Sequence, residues 1–328
     1  MPSYLSVAAL VFLFLIGVML WLYRPPAYHK LTSRPWPAGS YDEALERISA
    51  LTASEEDGFA GECRTYFMTH GRRTERVIVF AHGYTNCPKQ FEMLGKEFFK
   101  LGYNVLIPPL PNHGMADRMT EVQAYLTAEA LARYADEVID IAQGLGDRVV
   151  MAGLSGGGVT TAWAAQNRSD LDLAVLISPA FGFAVVPTPL TAPGAVLFRF
   201  LPNFYHWWDP VLKDSVGPAH AYPRTATRAL AEILRIGGAT LAASRRKAPA
   251  ARSVLVITNA NDTTINNRLV RRYVENLRAL GYPGLGTYEF EAELELGHDL
   301  IEPAQQDQRM DLVYPKLIDL ITQVVGGK

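Results

Sequence analysis

The chain has 328 residues, 49% of them hydrophobic and 20% charged, and its 31 basic and 33 acidic side chains nearly cancel to a formal charge of −2. That length fits one large α/β domain carrying an insertion, with an ample apolar core. The even charge balance, without a basic block or a basic stripe interleaved with aromatics, argues against nucleic acid as a partner.

Leu5 to Tyr23 holds no charged residue over roughly nineteen positions, the length a helix needs to span a bilayer. Trp21 and Tyr23 fall where an interfacial aromatic belt would lie. Residues 1–23 are therefore expected to form a single N-terminal membrane anchor or uncleaved signal, making the protein membrane-associated. Arg24, Lys30 and Arg34 all follow the span, which by the positive-inside rule holds the main domain in the cytoplasm. Cys63 and Cys87, the only cysteines, pull the other way if they pair, since disulfides persist in oxidising compartments. Two separate buried thiols fit equally well, so the side of the membrane stays open.

Residues 24–39, with four prolines, read as a linker. Ser40-Tyr-Asp-Glu43 is a capping box opening a helix with Ala44, Leu45, Ile48 and Leu51 on one face. A domain over 40–328 follows. Cys63 to Thr69 alternates as a strand, His70 to Arg73 resembles a hairpin turn, and Arg76 to Ala81 is the first clearly buried strand. Helical and strand patterns then alternate: a helix over 91–101, a strand over 104–107, and a helical stripe of Leu131, Tyr134, Val138 and Ile141. Strands follow at 149–152 and 173–177. After an interruption come a strand over 254–257, a helix over 268–280, a strand over 287–290 and a closing helix over 312–325. Such alternation implies βαβ units and a largely parallel sheet. The interruption, about 180–250, holds Phe198, Phe200, Phe204, Tyr205, Trp207 and Trp208 and a helical second half. An insertion there sits above the carboxyl ends of the strands, where ligands bind in such sheets.

Gly153-Leu-Ser-Gly-Gly157 lies between the strand at 149–152 and the helix after it. A serine flanked by glycines at a strand-to-helix corner has the form of a nucleophile elbow, because the corner strains the serine backbone and leaves no room for neighbouring side chains. A serine hydroxyl is a weak nucleophile and needs a base held by an acid. Asp262 follows the strand ending at Ile257, and His298 follows the strand ending near Phe290, so both belong to the same sheet edge as Ser155. Their order along the chain, Ser155, Asp262, His298, is the one this architecture uses. The negative charge that develops on attack calls for two amide donors. Gly156 is the natural first. Tyr84, in the loop His82-Gly-Tyr-Thr-Asn86, is the second, and its ring is expected to wall the acyl or leaving-group pocket. His82 is expected to be structural.

With these residues in place, the chain resembles the α/β-hydrolases, nearest the monoacylglycerol-lipase and serine-aminopeptidase branch. His82-Gly-Tyr-Thr, Gly102-Tyr-Asn-Val with Pro108 and His113-Gly114, the serine motif, Asp262 and Gly297-His298 carry the resemblance over about 60–325. One departure is Asn112-His113-Gly114, where that branch often has Gly-His-Gly. The resemblance implies a mostly parallel eight-stranded sheet flanked by helices, a helical cap at about 180–250, and no metal or organic cofactor. Candidate substrate-binding residues are Tyr84, His113, Trp207 and Trp208.

The expected function is serine hydrolysis of small-molecule carboxylic esters with moderately hydrophobic acyl groups, such as monoglycerides or lysophospholipids. An aminopeptidase or amidase of the same fold is the alternative. It needs an acidic group in the cap to hold the substrate amine, for which Asp209 and Asp214 are candidates. A non-catalytic hydrolase-fold binding protein is a further alternative. The natural substrate and the oligomeric state are not legible in the sequence.

Overall fold

The computed structural model describes residues 11–14, 16–20, 31–55, 58–305 and 308–326. In chain order the strands are β1 (Tyr66–Met68), β2 (Thr74–Ala81), β3 (Asn104–Ile107), β4 (Gly146–Leu154), β5 (Leu173–Ile177), β6 (Tyr205–Trp207), β7 (Arg224–Ala226), β8 (Ser253–Asn259) and β9 (Leu285–Phe290). The main helices are α1 (Tyr41–Ala53), α2 (Lys89–Lys100), α3 (Ala128–Leu145), α4 (Gly156–Asn167), α5 (Thr191–Phe200), α6 (Thr227–Ser244), α7 (Asn267–Ala279) and α8 (Met310–Gly326).

Among the described residues the main sheet has seven strands rather than the expected eight, in the order β1-β3-β2-β4-β5-β8-β9. Every neighbouring pair is parallel except β1 with β3. The strand expected at 63–69 is therefore an edge strand that skips its sequence neighbour. His70 to Arg73 does not turn a β1–β2 hairpin, because β3 lies between those strands. Burial accounts for this order. All four β3 residues are buried, so that strand needs partners on both edges, while half-exposed β1 tolerates the rim.

The strands bury both faces. In β2, Val77, Val79 and Ala81 join the core beneath α1, α3, α4, α6 and α7, whereas Ile78 and Phe80 join the core beneath α2 and α8. This period-two division makes the central strands near-continuous apolar runs. The capping box opens α1: Ser40 Oγ accepts from Glu43 N at 3.1 Å, but the Glu43 carboxylate reaches Gly39 N rather than Ser40 N.

Residues 31–39, expected to be part of the linker, are fastened along α3. Asp136 accepts from Ser33 Oγ (2.6 Å) and Arg34 N (2.7 Å), and Asp140 accepts from Trp36 N (2.9 Å). Buried Arg168 reaches both carboxylates, so neither charge is left uncompensated. The insert holds α5, the β6–β7 pair and α6. Glu232 of α6 ties it down by accepting from Arg199 Nε (2.6 Å), Arg235 Nε (2.8 Å) and Ala128 N (3.0 Å).

The membrane anchor expected over Leu5 to Tyr23 is not upheld: among the described residues no helix is long and apolar enough to cross a membrane. Residues 11–14 and 16–20 are helical. The rest of the expected span lies outside the described residues. The membrane localisation and the N-terminal membrane partner fall with the anchor.

Cys63 and Cys87 form a disulfide, with their Cα atoms 5.2 Å apart and a sequence separation of 24. Closing a loop of that length removes denatured-state entropy, about 3 kcal/mol on a chain-entropy estimate. Denaturant unfolding with and without reductant should therefore differ by about that amount, and Cys63→Ser should show the same loss without reductant. Equal midpoints would show that the bond constrains little.

Candidate active site

β4 ends in Gly153-Leu154 and α4 begins at Gly156, leaving Ser155 alone at the corner with φ 54° and ψ −110°. A serine at positive φ is strained, and the surroundings hold it there. Ser155 N donates to Ile177 O at 3.0 Å, and Ser155 O accepts from Val159 N (2.9 Å) and Ala180 N (3.0 Å). The glycines are there for space. A Cβ on Gly153 would lie 2.3 Å from Gly157 O, and one on Gly157 would lie 2.0 Å from Ala81 O.

The loop after β2 faces this corner and is pinned from several sides. Gly83 N donates to Gln90 Oε1 (2.8 Å), Thr85 N to His113 Nε2 (3.2 Å), and Tyr222 N to Thr85 O (2.7 Å). The Tyr84 hydroxyl donates to Gln123 Oε1 (2.6 Å) and accepts from Ala226 N (2.9 Å), linking the loop to the insert. Asn86 donates to Glu302 Oε2 (3.0 Å), and Cys87 carries the disulfide. The Tyr84 amide is consequently fixed beside the elbow: a Cβ built on Gly156 would be 3.3 Å from Tyr84 N. Gly156 opens α4, where first-turn amides have no intrahelical acceptor.

Asp262 and His298 meet above β8 and β9. His298 Nδ1 donates to Asp262 Oδ2 at 2.8 Å, while Asp262 Oδ1 accepts from Thr264 N (2.9 Å) and Ile265 N (3.0 Å). Burial by itself disfavours the Asp262 charge, yet the His298 hydrogen bond and charge, with the two amides, hold its pKa below the usual carboxylate value. Burial likewise works against protonated His298, but the Asp262 hydrogen bond and charge prevail, with a smaller push from Asp299. The imidazole pKa is raised above its ordinary value.

Ser155, Gly156, Tyr84 and His298 line one cavity of about 730 Å³ between the sheet edge and the insert. No hydrogen bond joins Ser155 Oγ to the His298 ring among the described residues. Phe183, Val186, Phe198 and Leu234 supply apolar wall, and Trp208, just past the end of β6, adds to it.

Two expected substrate-binding residues do not line the cavity. His113 Nδ1 bonds Pro111 O (2.9 Å) and its Nε2 accepts from Thr85 N, so the buried ring props the Tyr84 loop. Burial pushes its pKa down to about 4, keeping it neutral. His82 is structural as expected, bonding Gly83 O (2.9 Å) and accepting from Leu110 N (2.8 Å). Trp207 points away for a reason of strand geometry. Side chains of a strand alternate, so His206 and Trp208 face the cavity while Tyr205 and Trp207 lie on the opposite face, both beside the Arg224 guanidinium. Adjacent strand positions cannot both line one wall. His206, its cross-strand partner Thr225, and Asp299 line the cavity without having been singled out in the sequence. Alternation along 205–208 was the available signal for His206.

Residues 78–311 match the family model described as "Alpha/beta hydrolase family". Among curated proteins, a thermostable monoacylglycerol lipase from Bacillus sp. (strain H-257) is 25% identical over 171 residues, covering 50% of this chain and 63% of the lipase. The matched stretch thus spans less than two thirds of that relative. Among solved structures, a monoacylglycerol lipase from Paleococcus ferrophilus superposes with a TM-score of 0.60 at 17% identity, over 79% of this chain and 98% of that one. A soluble variant of monoglyceride lipase from Saccharomyces cerevisiae gives 0.60 at 13% identity, over 79% and 91%. With more than half of its length matched by the family model, and with this fold, the chain belongs to the alpha/beta hydrolase family.

Proposed function

We propose that this protein is a serine hydrolase that cleaves carboxylic esters of moderately hydrophobic acids through an acyl-enzyme. The observation that carries the reading is convergence: the elbow serine and an imidazole bonded to a buried carboxylate open onto one largely apolar cavity. In this mechanism Ser155 Oγ attacks the ester carbonyl as His298 Nε2 takes its proton. Asp262 holds the ring by Nδ1 and stabilises the imidazolium. The amides of Tyr84 and Gly156 receive the developing oxyanion. His298 returns the proton to the departing alcohol, and water, activated by the same ring, releases the acid. The Ser155–His298 hydrogen bond belongs to the substrate-bound state, since such contacts tighten on binding. That alkyl esters rather than peptides are cleaved is supported by the aliphatic and aromatic walls. Asp209 and Asp214 do not line the cavity, and the Asp209 carboxylate is occupied capping Val211 N and Leu212 N. The peptidase alternative therefore lacks the acidic anchor it requires in the insert.

Hydrolysis of p-nitrophenyl esters across chain lengths, with fluorophosphonate labelling mapped by mass spectrometry, tests this reading. Turnover together with a label on Ser155 is the expected result. Failure on every chain length, with Ser155 unlabelled, would falsify it.

The pH profile provides a separate check. The base must be neutral to accept a proton, so activity is lost as pH falls through the His298 pKa. Because the Asp262 hydrogen bond and charge outweigh burial there, the acid midpoint is expected above the ordinary imidazole value of about 6.5. Asp262→Asn removes that hydrogen-bonded charge and should move the midpoint of the residual activity downward. An unmoved midpoint would mean another group sets it.

A further inference from the structure

We propose that Asp299 makes the leaving-group side of this cavity selective for esters whose alcohol portion carries a positive charge, and against those carrying a negative one. The inference rests on the ester-hydrolase reading and extends it to a substrate class. Asp299 is the only carboxylate lining the cavity, and no lysine or arginine lines it among the described residues. Its side chain is half-buried and accepts no hydrogen bond among the described residues. A carboxylate in that state gains most from a cation or a strong donor supplied by a ligand.

Position assigns it to the alcohol rather than the acyl end. His298 must hand its proton to the leaving oxygen, so the alcohol lies on the His298 side. Asp299 is the next residue and lines the same cavity. The acyl chain is left the apolar wall that Phe198 and Leu234 supply from α5 and α6. Trp208 supplies a second feature suited to a cation. Its ring packs on Gly217 at φ +75°, where a Cβ would come within 2.5 Å of the ring, so the indole is fixed as a cavity wall. A fixed indole face attracts ammonium groups. Burial raises the Asp299 pKa, His298 opposes this, and Glu302 and Asp262 add to the rise, so the bare carboxylate charge is disfavoured until a cation meets it.

The test uses three esters of one fatty acid that differ only in the alcohol: neutral, quaternary ammonium and sulfonate. For the wild type, kcat/KM should rank ammonium over neutral and neutral over sulfonate, each step by about tenfold for a partly screened charge pair. Asp299→Asn should bring both ratios close to one whatever its absolute rate, and Asp299→Glu should keep the ranking. Equal wild-type rates on the three esters would overturn the proposal, as would a ranking that persists in Asp299→Asn. Inactivity on all three would instead sink the ester-hydrolase reading beneath it, so the two failures are distinguishable.

Discussion

Ser155→Ala is expected to lower kcat on a p-nitrophenyl ester by about 10⁵ to 10⁶, down to the rate that binding and the two amides supply alone. The variant should fold normally. Alanine meets the same positive φ as serine, and the bonds that hold the corner, from Ser155 N to Ile177 O and to Ser155 O from Val159 N and Ala180 N, are all backbone. A thermal melt within about 2 °C of wild type, beside the lost turnover, separates chemistry from stability. His298→Ala should cost nearly as much, and the double variant little more than either single one, because residues acting as a unit are not additive. Asp262→Asn should lose about 10⁴, since the ring survives in the wrong tautomer. Retention of more than about 1% of wild-type kcat in Ser155→Ala would point to another nucleophile.

Much of this site was legible in the chain because each candidate residue sits next to a strand end. Ser155 follows β4 directly, Asp262 lies three residues beyond Asn259, and His298 lies eight beyond Phe290, so short loops leave them little choice of place. The parallel sheet followed from uninterrupted apolar runs for the same reason. Other features needed information that local pattern does not hold. β1 pairs with β3 rather than β2 because of how deeply β3 is buried, which is a property of the assembled sheet. Prolines at 25, 26, 35 and 37 signalled a linker, yet the carboxylates that fasten 33–36 come from α3, about a hundred residues later. The uncharged N-terminal run matched a bilayer in length and apolarity alone, and among the described residues no helix is long and apolar enough to cross one. Asp299 escaped notice because an aspartate beside a histidine has no meaning until both line one cavity.

Adjacent glycines in the elbow should respond to the same substitution in opposite ways. Gly157→Ala would place a Cβ 2.0 Å from Ala81 O, with Ala81 C and His82 O each at 2.5 Å. All three are backbone atoms of the strand and loop that position Tyr84, so no rotamer change relieves the overlap. The variant is expected to lose at least about 3 kcal/mol, the upper end of the usual cost of overpacking because no side chain can yield, and to be recovered mainly as insoluble protein. Gly156→Ala meets milder contacts, 3.2 Å to Tyr84 Cβ and 3.3 Å to Tyr84 N. A shift of a few tenths of an ångström accommodates it, so the fold should survive with a loss of about 1 kcal/mol or less. That shift falls on the gap between two amides proposed to hold the oxyanion, where geometry matters more than stability. A kcat about 10- to 100-fold lower with KM nearly unchanged is therefore expected, short of the loss of a whole oxyanion donor. Urea unfolding and ester kinetics on the two variants provide the comparison. A Gly156→Ala enzyme with full kcat would remove the Tyr84 and Gly156 amides from the mechanism while leaving Ser155 in it.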